Sequence, residues 1–125
     1  MFDAELVDNW ISLWNNYDLD EVHNLFLNDD RVTYFSSEKE GIVKGFQALI
    51  DHHREFGFIK GGKSSLNKLW LEDVDIAFFN DSAIVTGIWF FRRGESNMDQ
   101  KGPVTLVYIR VGDTFKIAHA NFGNY

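Results

Sequence analysis

The stretch VTLVYIRVGDTFKIAHANF, residues 104–122, reads as two β-strands folded back on each other. Positions 104–111 and 115–122 are rich in β-branched and aromatic residues, and Gly112-Asp113 between them supplies a tight turn. The pattern repeats just upstream, where 69–79 turns through Asn80-Asp81 into 83–93. A polar loop over 94–101 joins the two hairpins. Four long strands with large residues on both faces predict an antiparallel meander buried on both sides. Helices would cover one face, and a second subunit could cover the other.

The helices come from the N-terminal half. Leu6, Val7, Trp10, Ile11, Trp14 and Tyr17 fall at helical spacing, which predicts a helix over 3–17 with Asp3 as its N-cap. Asp18 followed three residues later by Glu21 reads as a capping box for a second, short helix. That helix ends at Asn28-Asp29-Asp30. Brief extended pieces are predicted over 31–35 and 41–44, and a third helix over 46–56 between Gly45 and Gly57. Residues 57–65 are glycine- and lysine-rich and read as a loop. Helices first and a meander after is an α+β layout, and 125 residues suit a single domain over 1–125.

Composition excludes several functions. With 19 acidic and 12 basic residues the net charge is −7, the wrong sign for a nucleic-acid backbone or an anionic membrane surface. No window reaches the apolar length of a spanning helix. The acidic, amphipathic N-terminus is unlike a signal peptide. Cysteine is absent, which removes thiolate nucleophiles, disulfides and zinc–thiolate sites and makes a reducing cytoplasm the expected location. No phosphate loop, nucleophile elbow or zinc-protease motif occurs, and neither a metal nor a cofactor is expected. The aromatic content of 16% is high, and rings in such number line cavities as well as cores.

Three segments carry a resemblance. The run Asn16-Tyr17-Asp18-Leu19-Asp20-Glu21-Val22-His23-Asn24-Leu25-Phe26, with Asp29-Asp30-Arg31-Val32 behind it, resembles the "DLD…LF…DD.V" segment of SnoaL-like and ketosteroid isomerase-like proteins. Gly41 to Gly45 with the following helix resembles their "G…G…I" segment, and 115–122 resembles their "WKI.H.H.S" final strand. The resemblance implies the cone-shaped nuclear transport factor 2-like, or cystatin-like, fold. Three N-terminal helices pack on a curved, antiparallel-rich sheet, two copies usually associate, and a pocket for a small organic ligand lies between sheet and helices. It does not bring the isomerase chemistry, which needs a carboxylate base and two acidic oxyanion donors. The corresponding positions here are Tyr34, Trp10 and Val107.

Candidate site residues follow from residue type and expected place. Tyr34, at the expected mouth, offers a phenol that donates at neutral pH. His53, on the apolar face of the third helix, offers an imidazole suited to acid–base work, and His52 lies beside it about 100° round the axis. Trp10, Trp14 and Phe56 would wall the pocket, with Phe90, Val107 and Phe122 lining it from the strands. One of Arg92 and Arg93 should reach the pocket end, and Arg92 is taken as the anion contact. Each has a plain structural alternative: core packing for the tryptophans and His53, a half-buried strand position for Tyr34, a solvated hairpin end for the arginines. His119 and Asn121 are expected on the outer face. The competing function is a non-catalytic homo-oligomerisation module.

Overall fold

The computed structural model describes residues 4–62, 67–96 and 98–125. In chain order the elements are α1 (Glu5–Asn16), α2 (Leu19–Leu25), β1 (Thr33–Phe35), β2 (Ile42–Lys44), α3 (Phe46–Glu55), β3 (Lys68–Phe79), β4 (Ser82–Arg92), β5 (Asp99–Val111) and β6 (Thr114–Phe122). One sheet runs β2-β1-β6-β5-β4-β3. All pairs are antiparallel except β1 with β6. The three helices pack on one face of this sheet, giving the α+β architecture expected from the order of elements.

Helix α1 buries Val7, Trp10, Leu13 and Trp14, the stripe set by its 3.6-residue period. Its cap is Ala4, which makes no side-chain cap bond; Asp3 lies outside the described residues. Tyr17 closes the helix in the left-handed region at φ 53°, with its N–H on the Leu13 carbonyl. Asp18 caps α2 as expected, accepting from the Asp20 N–H at 3.0 Å. Glu21 does not complete the box: its carboxylate accepts from Asn24 instead.

Asn15 ties α1 to the sheet edge. Its amide accepts from the Leu69 N–H at 2.8 Å and donates to the Leu69 carbonyl at 3.3 Å, standing in for a neighbouring strand. Two bulges interrupt the ladders, at Glu72/Asp75 in β3 and opposite Val107/Tyr108 in β6. Bulges bend strands and advance the side-chain parity by one. In β6 the inward set therefore changes from Phe115 and Ile117 to Ala120 and Phe122. Gly87 of β4 faces the bulge of β3, where a Cβ would meet the Glu72 carbonyl oxygen at 3.2 Å.

The predicted loop over 94–101 is shorter in the structure, because Asp99, Gln100 and Lys101 pair with Arg92, Phe91 and Phe90 and begin β5. Part of the predicted loop over 57–65 lies outside the described residues. No helix among the described residues is long and apolar enough to cross a membrane.

Candidate functional site

Face assignment within β4 decides the site. Ala83, Val85, Trp89 and Phe91 are buried under the helices, while Ile84, Ile88 and Phe90 alternate with them on the outer face. Arg93, two residues past Phe91, continues the inward set. Its guanidinium lies 5.2 Å from the Phe91 ring centroid.

At this end of the sheet a small hollow opens between the sheet, β1, the β1–β2 connection and the C-terminus of α3. Trp14, Phe56, Trp89, Phe91 and Phe122 give it an aromatic wall, and Tyr34 closes its floor. Ser36, Ser37, Glu38, Arg93 and Gln100 form a polar rim. The space open to the centre of a water-sized sphere is about 40 Å³, room for a few waters. An outer cleft of about 570 Å³, open to solvent, shares Glu38, Phe56 and Arg93 with the hollow and is flanked by Lys39, His52 and Glu55.

Most of the hollow expected between helices and sheet is filled by rings. Phe122 stacks on Trp10 at 5.5 Å and meets Trp14 and Trp89 edge-on at 5.8 and 5.7 Å. Tyr34 packs against His52, His53 and Phe122 at 5.3, 5.4 and 5.9 Å. Such contacts are favourable edge-to-face or offset arrangements, and they leave open only the end near the rim.

The polar atoms inside this cluster are sparsely paired. The Nδ1 of His53 sits 2.8 Å from the Leu49 carbonyl, which can only accept, so Nδ1 carries the hydrogen and Nε2 the lone pair. Among the described residues Nε2 has no partner, and neither do the indole N–H groups of Trp10 and Trp14 or the two ring nitrogens of His52. Burial pushes the His53 pKa down to about 4, against a small opposing effect of the Leu49 hydrogen bond, so the ring is neutral at physiological pH. His52 is lowered too, chiefly by burial and then by Lys39. The phenol of Tyr34 is pushed up by burial and stays protonated. Trp89 differs: its indole donates to the Gly123 carbonyl at 2.9 Å, which fixes the ring plane.

The structure brings Trp14, Tyr34, Phe56 and Phe122 together on the wall and places His52 on the outer cleft. Trp10 and His53 lie behind the wall, both fully buried. Three expected pocket residues point the other way. Phe90 stacks on Trp70 on the outer face, 5.4 Å apart and 8° from parallel. Arg92 lies over the same Trp70 ring and pairs with Asp99 at 2.7 Å. Val107 pairs with His119 and Ile84 among outward-facing residues. The reason is common to all three: strand parity puts them opposite Trp89, Phe91 and Leu106. Of the two arginines, Arg93 is the one at the hollow.

Sequence reasoning missed Trp89, Phe91 and Gln100, and of its two arginine candidates it took Arg92 where Arg93 lines the hollow. Their shared parity was visible in β4, but its sign was not, because both alternating sets are apolar. His119 and Asn121 do face outward, with the Thr33 hydroxyl 2.7 Å from the His119 ring. No group of three or more acidic or histidine side chains fit to hold a metal occurs among the described residues.

A helix-covered, mostly antiparallel six-stranded sheet with a hollow at one end has close structural relatives. The fold is that of the nuclear transport factor 2-like proteins. A candidate calcium/calmodulin-dependent protein kinase type II association domain from Thiobacillus denitrificans superposes with a TM-score of 0.81 at 18% identity, covering 96% of this chain and 92% of that one. A candidate dehydratase of the nuclear transport factor 2-like family from Streptomyces avermitilis gives 0.80 at 14% identity, covering 96% and 91%. A protein of unknown function with a cystatin-like fold from Nostoc punctiforme gives 0.76 at 14% identity, covering 97% and 86%. No protein-family model matches the sequence, and no curated protein matches it either. At such identities the likeness establishes the nuclear transport factor 2-like fold, and function has to be argued from the site.

Proposed function

We propose that this chain is a SnoaL-like binding protein for a small organic ligand, seated among Trp14, Phe56, Trp89 and Phe91. The observation that carries the reading is the union of an aromatic wall and a polar rim on one hollow, with Tyr34 at its floor. Ligand sites are generally built in this way, from apolar walls and a few convergent polar groups. Tyr34 would donate the hydrogen bond that orients the ligand. His53 stands one ring behind it as a neutral acceptor. The hollow is small, so a ligand must displace a wall residue. Phe56 is the candidate, half-buried at the α3 C-cap.

Thermal-shift and tryptophan-fluorescence titrations with a panel of small planar compounds test this. Saturable binding to the wild type, tighter in Phe56→Ala because the wall no longer has to move, is expected. If no compound raises the melting temperature of either protein, the reading is lost.

A second reading is favoured by a separate observation. Trp70 and Phe90 stack on the outer face beside half-buried Ile84, Ile88, Val107 and Ile109, where none of the described helices lies. We propose that two copies associate through this face, with the pocket kept in each. Light scattering at micromolar concentration should give a dimer for the wild type and a monomer for Phe90→Asp. A monomeric wild type would end it.

A further inference from the structure

Among the described residues the rim of the hollow contains one cation, and it is already occupied by an anion of the chain's own. Arg93 donates through Nη2 to the Glu38 carboxylate and through Nε to the Gln100 side chain at 3.1 Å, and its guanidinium rests on Phe91. These contacts come from three different segments and hold the planar fork in one orientation at the mouth. Glu38 is delivered by the β1–β2 connection, where its N–H donates to the Ser36 hydroxyl at 3.1 Å. Asn124 pins the same connection by donating to the Ser37 carbonyl at 2.9 Å. Glu38, Phe56 and Arg93 are the residues shared by the inner hollow and the outer cleft, so the ion pair lies between them. The neighbouring Arg92 has the same chemistry but faces outward with Asp99, so it cannot take this place.

We propose that Arg93 is the anion anchor of the pocket and that Glu38 is a built-in occupant which the ligand displaces, so that the ligand is a compact aromatic monocarboxylate. A ligand carboxylate reproduces the charge-assisted bond that Glu38 makes and can add a second, because a guanidinium offers two parallel donors. Its ring then lies over the apolar wall, where Glu38 has nothing to place. The pair is half exposed, so breaking it is cheap and exchange is feasible. Glu38 also discriminates: a neutral ligand leaves the pair intact and gains no anchor, and a dicarboxylate meets Glu38 and Glu55 at the cleft.

The inference rests on the pocket reading above, and the experiment separates the two. Phenylacetate and its neutral isostere phenylacetamide are titrated by tryptophan fluorescence into the wild type, Glu38→Gln, Arg93→Gln and Arg93→Lys, each checked for a native circular dichroism spectrum. Glu38→Gln keeps an acceptor for Arg93 but removes the competing charge. It is expected to tighten phenylacetate binding about two- to fivefold and to leave phenylacetamide unchanged, since one lost charge competitor at a half-exposed site is worth less than a decade. Arg93→Gln should erase the preference for the acid, and Arg93→Lys should restore part of it. If both compounds bind with equal strength and Glu38→Gln changes neither, the anchor is refuted while the pocket stands. If neither compound binds any of the four proteins, pocket and anchor fall together.

Discussion

The two faces of the sheet are built from the same kinds of residue and handle their polar atoms in opposite ways. On the outer face Trp70 and Phe90 stack 5.4 Å apart, against 4.9 Å for Tyr17 on Phe58 under the helices, yet the Trp70 indole donates to Glu72 and Arg92 is held by Asp99. Under the helices the rings are as dense, but the indoles of Trp10 and Trp14 and the His53 lone pair go without protein partners among the described residues. Aromatic content alone therefore does not distinguish a ligand wall from a surface. The unpartnered buried polar atom does, because leaving it so costs roughly 1–3 kcal/mol unless something else meets it.

The largest expected effect lies on the helix-covered face. Trp10 is fully buried and stacked on Phe122, so Trp10→Ala should cost about 3–5 kcal/mol in chemical denaturation. A cost below about 1 kcal/mol would mean that the ring cluster is not the core and that the contrast between the faces is false.

Next in size is a pH effect that the outer face should lack. Between pH 6.5 and about 4 the unfolded chain protonates the residue-53 imidazole while the folded chain leaves it neutral. The unfolded state then binds more protons, so stability is full above pH 6.5 and falls as the solution is acidified to about pH 4. The expected loss from His53 is about 3 kcal/mol, with His52 acting in the same direction. Urea melts across this range should show the slope in the wild type and a shallower one in His53→Gln. Equal slopes would place the acid sensitivity elsewhere.

Smaller again is Phe90→Ala, expected to cost about 1 kcal/mol by removing a half-buried stack. Its midpoint should depend on protein concentration only if the outer face joins two copies. Smallest is Arg92→Gln, which should leave both the denaturation midpoint and phenylacetate binding as they are. A binding loss matching that of Arg93→Gln would undo the assignment of faces.

What could be read in the chain was what short-range chemistry decides. Asp18 caps α2 because an Asx side chain reaches the N–H two residues on, whatever lies beyond it. The hairpin turns at Asn80-Asp81 and Gly112-Asp113 follow from turn chemistry in the same way. Trp14 and Phe56 were found through helix spacing, and Tyr34 through the family resemblance that set it at the expected mouth. Where the reading failed, the deciding partner was far off in sequence. Asp99 to Lys101 resemble a loop until β4 supplies hydrogen bonds. Arg92 and Arg93 are equivalent until register chooses between them, and both sides of β4 carry rings.

The bulge of β3 has a consequence for behaviour in concentrated solution. β3 is twelve residues long and ends the sheet, and near its far end Phe78 and Phe79 are more than half exposed. A straight strand of that kind is a template on which other chains can pair. Here the Leu69 backbone is already taken by Asn15, and the line breaks at Asp73, a non-glycine residue at φ 54°, inside a run where Glu72, Asp73 and Asp75 are all exposed. Kink and like charge together keep the exposed rings from acting as a seed for aggregation. Straightening the run by deleting Asp73 would release that restraint without touching the pocket.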